Sequence, residues 1–306
     1  MELSKYQELV AEKRPLLKPN SAKTYAVSLR TIAPQDSTDF GWLSDVDYVF
    51  KQLERYKDTT RKNTLNAVIV VTPKDTDEWK RYSAERDRYN DIYTEMTKAH
   101  TKTESQEKNW VDWPDYLRLV TTMRQDVRDL NGNDWSWREK SRFQDFVIVL
   151  LYSFYPLRND FGDVKVVSKT KFNKTTKAER EETNYLVLEK NSQKMTLILN
   201  EYKTPAKYGE KRIEINATVR KILRKWLRHN DSGYLLTDKQ SRPLGSNGIT
   251  KTMTRIGQKQ LGRSLGSSLL RHSYLSDKYT ETNEEKKKDA EMMMHSVDMQ
   301  DGYIKT

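Results

Sequence analysis

The sequence predicts a mainly α-helical protein with a small antiparallel β-sheet, divided into two domains. Its 306 residues are more than one average domain needs. Most apolar residues recur at the three- and four-residue spacing of helices, whereas the stretch after Asn184 alternates short β-rich segments with polar turns. The polar segment from His100 to Asn109 has no apolar periodicity. We therefore predict a helical N-terminal domain with its linker over residues 1–108 and a second domain over residues 109–306.

The N-terminal domain is predicted to be a small all-helical module. Ser21 is expected to cap a helix whose apolar residues have helical spacing. Two short amphipathic helices follow, one from about Asp45 and one after Thr60 that ends before Pro73. A longer, charged helix closes the module, and its large apolar residues are Trp79, Tyr82, Tyr89, Tyr93 and Met96.

The second domain is predicted to combine helices with the small sheet. A helix from Asp115 to Leu130 comes first. The next helix is the clearest buried one in the chain, because its large apolar residues share one face: Phe143, Phe146, Val147, Leu150, Leu151 and Phe154. The three β-rich segments are NYLVLEK, MTLILNEYK and KRIEIN. Helices return at Ala217, and further helical segments are predicted at residues 246–260, 265–279 and 284–294.

The charge balance favours a polyanionic partner. Lys and Arg number 55 against 44 Asp and Glu, which gives a net charge of +11, and the isoelectric point is near 9.4. Nucleic acid is the first candidate for such a partner, although charge alone does not separate a nucleic-acid-binding protein from an ordinary basic one.

Several classes of protein are excluded by composition. No apolar stretch approaches the roughly 18 residues of a membrane span, and the start MELSKYQELVAEKR lacks the apolar region of a secretory signal. We therefore expect an intracellular protein, in the cytoplasm or nucleus, that is not secreted and does not enter a membrane. Cysteine is absent and the four histidines show no paired metal-ligand spacing, so no disulfide and no metal site are expected.

Two clusters near the end of the sequence carry residues suited to chemistry on phosphate. The first is Ser268-Leu-Leu-Arg271-His272, and the second is Met294-His295-Ser296, followed by Tyr303. Earlier in the chain, Arg158 follows the predicted buried helix and Lys203 lies between two predicted strands.

This order resembles the tyrosine recombinases, phage-integrase-like enzymes of viruses and mobile elements that break and rejoin DNA. Members of that family carry an arginine after a buried helix, a lysine in a β-turn, an H-x-x-R box often continuing Arg-His, a Gly-His-Ser segment, and then a tyrosine. The resemblance covers roughly residues 140–306. The N-terminal helices, with Ser21-Ala-Lys-Thr-Tyr25 leading into Ser28-Leu29, are also similar to the core-binding domain that the family places before the catalytic one. The resemblance implies a SAM-like core-binding domain before an α+β catalytic domain.

The resemblance also implies a mechanism without metal, ATP or another cofactor. Arg158 and Arg271 would hold the non-bridging oxygens of a phosphodiester and offset charge in the transition state. Tyr303 would attack phosphorus and form a 3′-phosphotyrosine. Lys203 would protonate the departing 5′-oxygen, and His295 would hydrogen-bond the phosphate.

The sequence departs from the family pattern at several positions. Met294 replaces the glycine before the histidine, and Pro156 stands where glycine is common. Phe161 occupies the usual place of an acidic residue after the arginine, which leaves Asp160 or Asp163 as a substitute.

Double-stranded DNA is the expected partner, bound by a dimer or tetramer of the chain. Lys207 and Lys211 lie in the same basic segment as Lys203 and are the alternatives for the proton donor. A basic stripe on the helix after Ala217 either lines a DNA channel or is an ordinary solvated face. The residues expected to contact DNA are Lys207, Lys211, Arg212, Arg220, Arg224, Lys225, Arg228 and His272.

Two other functions remain open. Ser268 stands where recombinases usually have a histidine, and a serine can hydrogen-bond but cannot exchange protons near neutrality. Type IB topoisomerases use a similar residue set and often lack that histidine, so they are the first alternative. The second is a catalytically inactive, DNA-binding relative of the recombinases.

Overall fold

The computed structural model describes residues 1–98, 101–190 and 194–292. The chain divides into two compact units, Met1–Lys102 and Thr103–Thr306. The division falls inside the polar segment that the sequence analysis singled out, a few residues before position 108. The functional identity of each unit stays a prediction.

In the described part of the first unit, all of the secondary-structure elements are helices. Its helices are α1 (Leu3–Lys13), α2 (Pro19–Ile32), α3 (Val46–Leu53), α4 (Asp58–Val71) and α5 (Asp77–Lys98), with a short 3-10 helix at Gly41–Ser44. Apolar side chains from all five helices form one core, among them Tyr6, Leu29, Val49, Leu65 and Tyr82.

The sequence predicted four of these five helices. Helix α3 begins next to Asp45, where a helix was predicted, and the Asp45 carboxylate caps it by accepting a hydrogen bond from the backbone N–H of Tyr48 at 2.9 Å. The prediction that Ser21 caps a helix is wrong, because α2 already begins at Pro19 and Ser21 lies within its first turn. Proline suits that first position, where its missing N–H has no partner to lose. The sequence analysis did not predict α1.

The second unit contains the remaining helices. They are α6 (Glu104–Asn109), α7 (Trp113–Asp126), α8 (Trp137–Phe154), α9 (Lys169–Asn173), α10 (Lys177–Glu181), α11 (Pro205–Tyr208), α12 (Ala217–Leu227), α13 (Gly245–Leu261) and α14 (Ser267–Met292). The polar helix α6 was not predicted, because a capping box between Thr103 and Gln106 forms it without an apolar face.

Helix α8 is buried in the second unit, as its apolar spacing predicted, although Phe154 at its end is exposed. Residues Phe143 and Phe146 to Tyr152 are all buried, and α7, α12 and α13 pack around the helix. Tyr116 on α7 is fully buried, and its hydroxyl donates a hydrogen bond to the carbonyl oxygen of Val149 at 2.8 Å.

The sheet is mixed, which corrects the predicted antiparallel sheet. Its strands are β1 (Lys165–Ser168), β2 (Tyr185–Leu188), β3 (Met195–Leu199) and β4 (Lys211–Glu214), in that spatial order. β2, β3 and β4 are antiparallel as predicted, whereas β1 pairs with β2 in parallel. β1 was not predicted from the sequence, because two short helices rather than a hairpin turn join it to β2.

Each face of the sheet is covered by apolar side chains. Leu186 and Leu197 belong to the main core with α8, while Tyr185 and Val187 form a separate cluster with Phe172 of α9. The alternation of side chains along β2 therefore assigns successive residues to the two cores.

Helix α14 is continuous from Ser267 to Met292, where the sequence predicted two helical segments. The residues between those segments are polar but include neither glycine nor proline, so nothing in them ends a helix. Across the part of the chain that is described, no helix has the length and apolar character needed to cross a membrane.

Candidate functional site

Arg158 lies in the turn that follows α8, and this turn is fixed on two sides. The hydroxyl of Tyr152 donates a hydrogen bond to the carbonyl oxygen of Arg158 at 2.9 Å and lies 3.3 Å from Oδ1 of Asn159. The Nδ2 group of Asn159 donates to the carbonyl oxygen of Ser246 at 3.1 Å and to Oγ1 of Thr250 at 2.8 Å. The turn is thereby attached to both α8 and the start of α13.

A close backbone approach strengthens the attachment to α13. The N–H of Gly245 donates to the carbonyl oxygen of Gly162 at 3.1 Å. A Cβ atom on Gly162 would lie 2.5 Å from the carbonyl carbon of Gly245, so only glycine fits there. Gly245 itself has a φ of 71°, in the left-handed region that favours glycine.

Arg271 reaches the same place from helix α14. The position of this helix is set by the buried Ser273, whose hydroxyl donates to the carbonyl oxygen of Val111 at 2.7 Å. Tyr274 packs edge-on against Trp113 of α7, with ring centroids 5.1 Å apart. These contacts hold the first turns of α14, and with them Arg271, against the rest of the second unit.

The two arginines influence each other. Burial and then the positive charge of Arg158 lower the pKa of Arg271. The Nε atom of Arg271 is buried, and it has no hydrogen-bond partner among the described residues. A repelled, incompletely hydrogen-bonded guanidinium favours an anion as its ligand.

Asp160 is the carboxylate that lies near this pair. Burial raises the pKa of Asp160, while the charges of Arg158 and Arg271 act in the opposite direction. For Asp163, burial is the cause of a raised pKa, and neither arginine contributes. Of the two acidic substitutes that the sequence left open, Asp160 is therefore the one beside the arginines. Phe161 is buried instead, with its ring 5.4 Å from the ring of Tyr152.

Ser268 lies one turn before Arg271 on α14 and is exposed. Residues three apart share one face of a helix, so Ser268 lies on the side of α14 that carries Arg271. His272 is also exposed, but it follows Arg271 directly and therefore projects from a different side of the helix.

Lys203 lies in the connection between β3 and β4, which also contains the short helix α11. Its side chain is exposed. The buried side chain of Asn184 ties the start of this connection to the Arg158 turn. Asn184 Oδ1 accepts from the backbone N–H of Asn200 and of Glu201, both at 2.9 Å, and its Nδ2 donates to the carbonyl oxygens of Glu201 at 2.8 Å and Asp160 at 3.4 Å.

The structure thus brings the backbone before Lys203 close to the arginine turn. The sequence analysis missed Asn184 and Tyr152, because their partners are distant in sequence and no local pattern marks them.

The other basic residues predicted in this region, Lys207 in the connection and Lys211 and Arg212 in β4, are exposed. The Nζ atoms of Lys207 and Lys211 lie 5.1 and 5.4 Å from the centre of the Tyr208 ring. Arg212 forms an exposed ion pair with Glu210, with 2.6 Å between Nε and Oε1.

The basic stripe on α12 extends away from the arginine pair. The N–H of Asn216, just before α12, donates to the hydroxyl of Tyr155 at 2.6 Å, which places the start of α12 beside the end of α8. At the other end, His229 stacks on Trp135, which precedes α8, with ring centroids 3.6 Å apart. Because α8 has 18 residues, its ends are about 27 Å apart.

Arg220 is therefore near the arginine end of α8, and Lys225 and Arg228 are near the opposite end. Arg224 lies between them, one turn after Arg220. Lys225 donates a hydrogen bond to Oδ1 of Asn131 at 3.3 Å, and its Nζ lies 5.8 Å from the centre of the Trp135 ring. Only the first part of the predicted stripe lies at the end of α8 from which Arg158 emerges.

Two predicted catalytic residues, His295 and Tyr303, lie outside the described residues. In the described part of the chain, no group of three or more histidine or acidic side chains is arranged to hold a metal ion. No model of a known protein family matches the chain, and no curated protein sequence matches it either.

Proposed function

We propose that the protein is a site-specific DNA recombinase of the tyrosine recombinase family, an integrase that cuts and rejoins DNA strands through a covalent 3′-phosphotyrosine. The observation that carries the proposal is the placement of Arg271, whose pKa is lowered by burial and then by the positive charge of the nearby Arg158. Two guanidinium groups close together can hold a tetrahedral phosphate through several charge-assisted hydrogen bonds. The nearby Asp160 offsets part of their charge.

In the proposed reaction, Arg158 and Arg271 bind the non-bridging oxygens and stabilise the pentavalent transition state. The Tyr303 hydroxyl attacks phosphorus, releases its proton to solvent, and forms the phosphotyrosine bond while the bond to the 5′-oxygen breaks. Lys203 donates a proton to that oxygen, and His295 and Ser268 hydrogen-bond the phosphate. Attack by a 5′-hydroxyl then reverses these steps, which restores the DNA backbone and frees the tyrosine.

The proposed substrate is double-stranded DNA, which suits a chain with a net charge of +11. Exchange of strands between two duplexes requires several protomers, so we propose a dimer or tetramer on DNA. Such a protein would act in the cytoplasm or nucleus, wherever its DNA is. The proposed origin is a virus or a mobile element.

The test of activity is covalent trapping on a duplex whose scissile 5′-oxygen is replaced by sulfur. Sulfur leaves without a proton and cannot rejoin efficiently, so an active enzyme accumulates as a protein–DNA adduct. An adduct that resists denaturation is the expected result. Specific DNA binding without an adduct would favour the inactive DNA-binding relative instead.

Ser268 favours a type IB topoisomerase as the second candidate, because that class often lacks the histidine of the H-x-x-R box. The two activities differ in what the reaction requires. A topoisomerase relaxes supercoiled DNA of any sequence as a monomer, whereas a recombinase exchanges strands between specific sites in an oligomer. Relaxation of any plasmid by the monomer, without strand exchange, would overturn the order of these two proposals.

A further inference from the structure

Tyr152 is a fully buried tyrosine whose hydroxyl reaches the turn that carries Arg158. We propose that Tyr152 is a positioning residue, which fixes the Arg158 backbone so that Arg158 and Arg271 are held together before an oxyanion binds. This inference rests on the proposed function only in taking the arginine pair as the phosphate-binding site. Tyr152 itself does not touch the phosphate.

The hydrogen-bond geometry supports this role. A tyrosine hydroxyl has one proton to donate. The distance of 2.9 Å to the carbonyl oxygen of Arg158 is shorter than the 3.3 Å to Oδ1 of Asn159, so the carbonyl is the main acceptor. The bond therefore acts on the backbone of the arginine, and it leaves the guanidinium free to bind a ligand.

Asn159 extends this contact to a second helix. Its Nδ2 group donates to the carbonyl oxygen of Ser246 and to Oγ1 of Thr250, both at the start of α13. The Arg158 turn is thus attached to α8 through Tyr152 and to α13 through Asn159. Neither attachment alone restrains the turn from both sides.

Electrostatics explain why the turn needs such restraint. The charge of Arg158 disfavours the charged form of Arg271, which means that the two side chains repel each other in the absence of an anion. Arg158 is exposed, and a flexible turn would let it move away from Arg271. Holding its backbone in place keeps the pair ready for an oxyanion, so less reorganisation is needed when the ligand binds.

Burial also decides what Tyr152 can do chemically. It raises the pKa of Tyr152, and Asp160 acts in the same direction while Arg271 opposes it. The hydroxyl therefore stays protonated and remains a hydrogen-bond donor rather than a nucleophile.

Tyr116 provides a matched control in the same unit. It is also fully buried, and its hydroxyl also donates to a backbone carbonyl, that of Val149 at 2.8 Å. Val149 lies one turn before Tyr152 on α8, so the Tyr116 hydroxyl bonds to the helix itself and not to the Arg158 turn. Tyr152→Phe and Tyr116→Phe each remove one buried hydroxyl and keep the ring. The Tyr152 hydroxyl also contacts the side chains of Asn159 and Ser267, so Tyr152→Phe should reduce stability at least as much as Tyr116→Phe. Only Tyr152→Phe should affect the arginine pair.

The experiment uses tungstate as a tetrahedral oxyanion and the whole chain without DNA. Phenylglyoxal modifies accessible arginines, and mass spectrometry measures how far tungstate protects Arg158 and Arg271. We expect Tyr152→Phe to raise the tungstate concentration for half-protection about tenfold. A tenfold change corresponds to the free energy of one well-placed hydrogen bond. Tyr116→Phe should match the wild type. Equal protection in all three proteins would overturn the inference, as would a wild type that tungstate does not protect.

A second variant covers the case in which Tyr152→Phe does not fold, as judged by its melting temperature and circular dichroism. Asn159→Ala removes the attachment to α13 and should weaken protection in the same direction. Unchanged protection in a folded Asn159→Ala protein, with Tyr152→Phe unfolded, would count against the inference.

The covalent adduct on DNA separates this inference from the proposed function. Protection that depends on Tyr152, without any adduct in the wild type, would support the positioning role and contradict the recombinase. An adduct that forms at the same rate in Tyr152→Phe and Tyr116→Phe would support the recombinase and contradict the positioning role.

Discussion

Burial and the positive charge of Arg158 together lower the pKa of Arg271, although one arginine follows α8 and the other belongs to α14. Proteins that hold like charges together lose stability unless a ligand or a counter-charge compensates. Asp160 supplies part of that compensation. The buried Nε of Arg271 still lacks a hydrogen-bond partner among the described residues. An oxyanion would satisfy both arginines, and this expectation leads to the first prediction.

Arg158→Ala and Arg271→Ala should each slow DNA cleavage by about 10²-fold or more, because each removes transition-state charge stabilisation. Arg158→Ala removes both the repulsion of Arg271 and the attraction for Asp160, so the free energy of unfolding should change little. Single-turnover cleavage and urea unfolding measure the two effects. Arg118→Ala, which breaks an exposed ion pair with Asp115, is the control. Near-wild-type cleavage in either variant would remove that arginine from the site.

Gly162→Ala should lower the free energy of unfolding by about 1–3 kcal/mol, the usual cost of overpacking. The added Cβ would lie 2.5 Å from the backbone of Gly245, which cannot yield as a side chain can. Urea denaturation measures the change, and Gly132→Ala is the control because no atom lies within 4 Å of its added Cβ. Equal stability of the two variants would show that the Arg158 turn and α13 are not in such close contact.

Removing the His229 imidazole should reduce the acid sensitivity of the fold. Burial, then the charge of Arg228, with Lys140 and Lys225 acting in the same direction, lower the pKa of His229 below its usual 6.5. The unfolded chain therefore binds this proton more readily than the folded chain, and stability falls as the pH drops through 6.5.

His229→Phe keeps a ring against Trp135 and removes the titration. The loss of unfolding free energy between about pH 7.5 and pH 5 should be smaller than in the wild type, as urea denaturation at both pH values would show. The exposed His272→Phe serves as the control. An unchanged pH dependence in His229→Phe would contradict the assignment.

Substitutions of Ser268 test what this serine does at the position where the family usually has a histidine. If its hydroxyl only hydrogen-bonds the phosphate, Ser268→Ala should slow cleavage by an amount equivalent to about 1–3 kcal/mol. Ser268→His should introduce a new titration into the pH–rate profile between about pH 6 and 8. Complete loss of cleavage in Ser268→Ala, as severe as in a variant without the nucleophile, would mean that the serine takes part directly in the chemistry.

The sequence predicted most helices because their apolar faces repeat regularly, as in α8. It missed β1, since the partner strand β2 follows only after two short helices and no hairpin turn marks the pairing. The charged members of the candidate site could be proposed from their order along the chain. Tyr152 and Asn184 could not, because their roles depend on hydrogen bonds to the Arg158 turn, which forms only in the folded unit.

The identity of the nucleophile is the most direct test of the proposed function. The wild type should form an adduct on phosphorothiolate DNA, and mass spectrometry of the protease-digested adduct should find the nucleotide on the peptide that contains Tyr303. Tyr303→Phe should abolish the adduct and leave DNA affinity nearly unchanged, since only one hydroxyl is removed. An adduct that survives in Tyr303→Phe, or a nucleotide attached to another residue, would contradict the assignment.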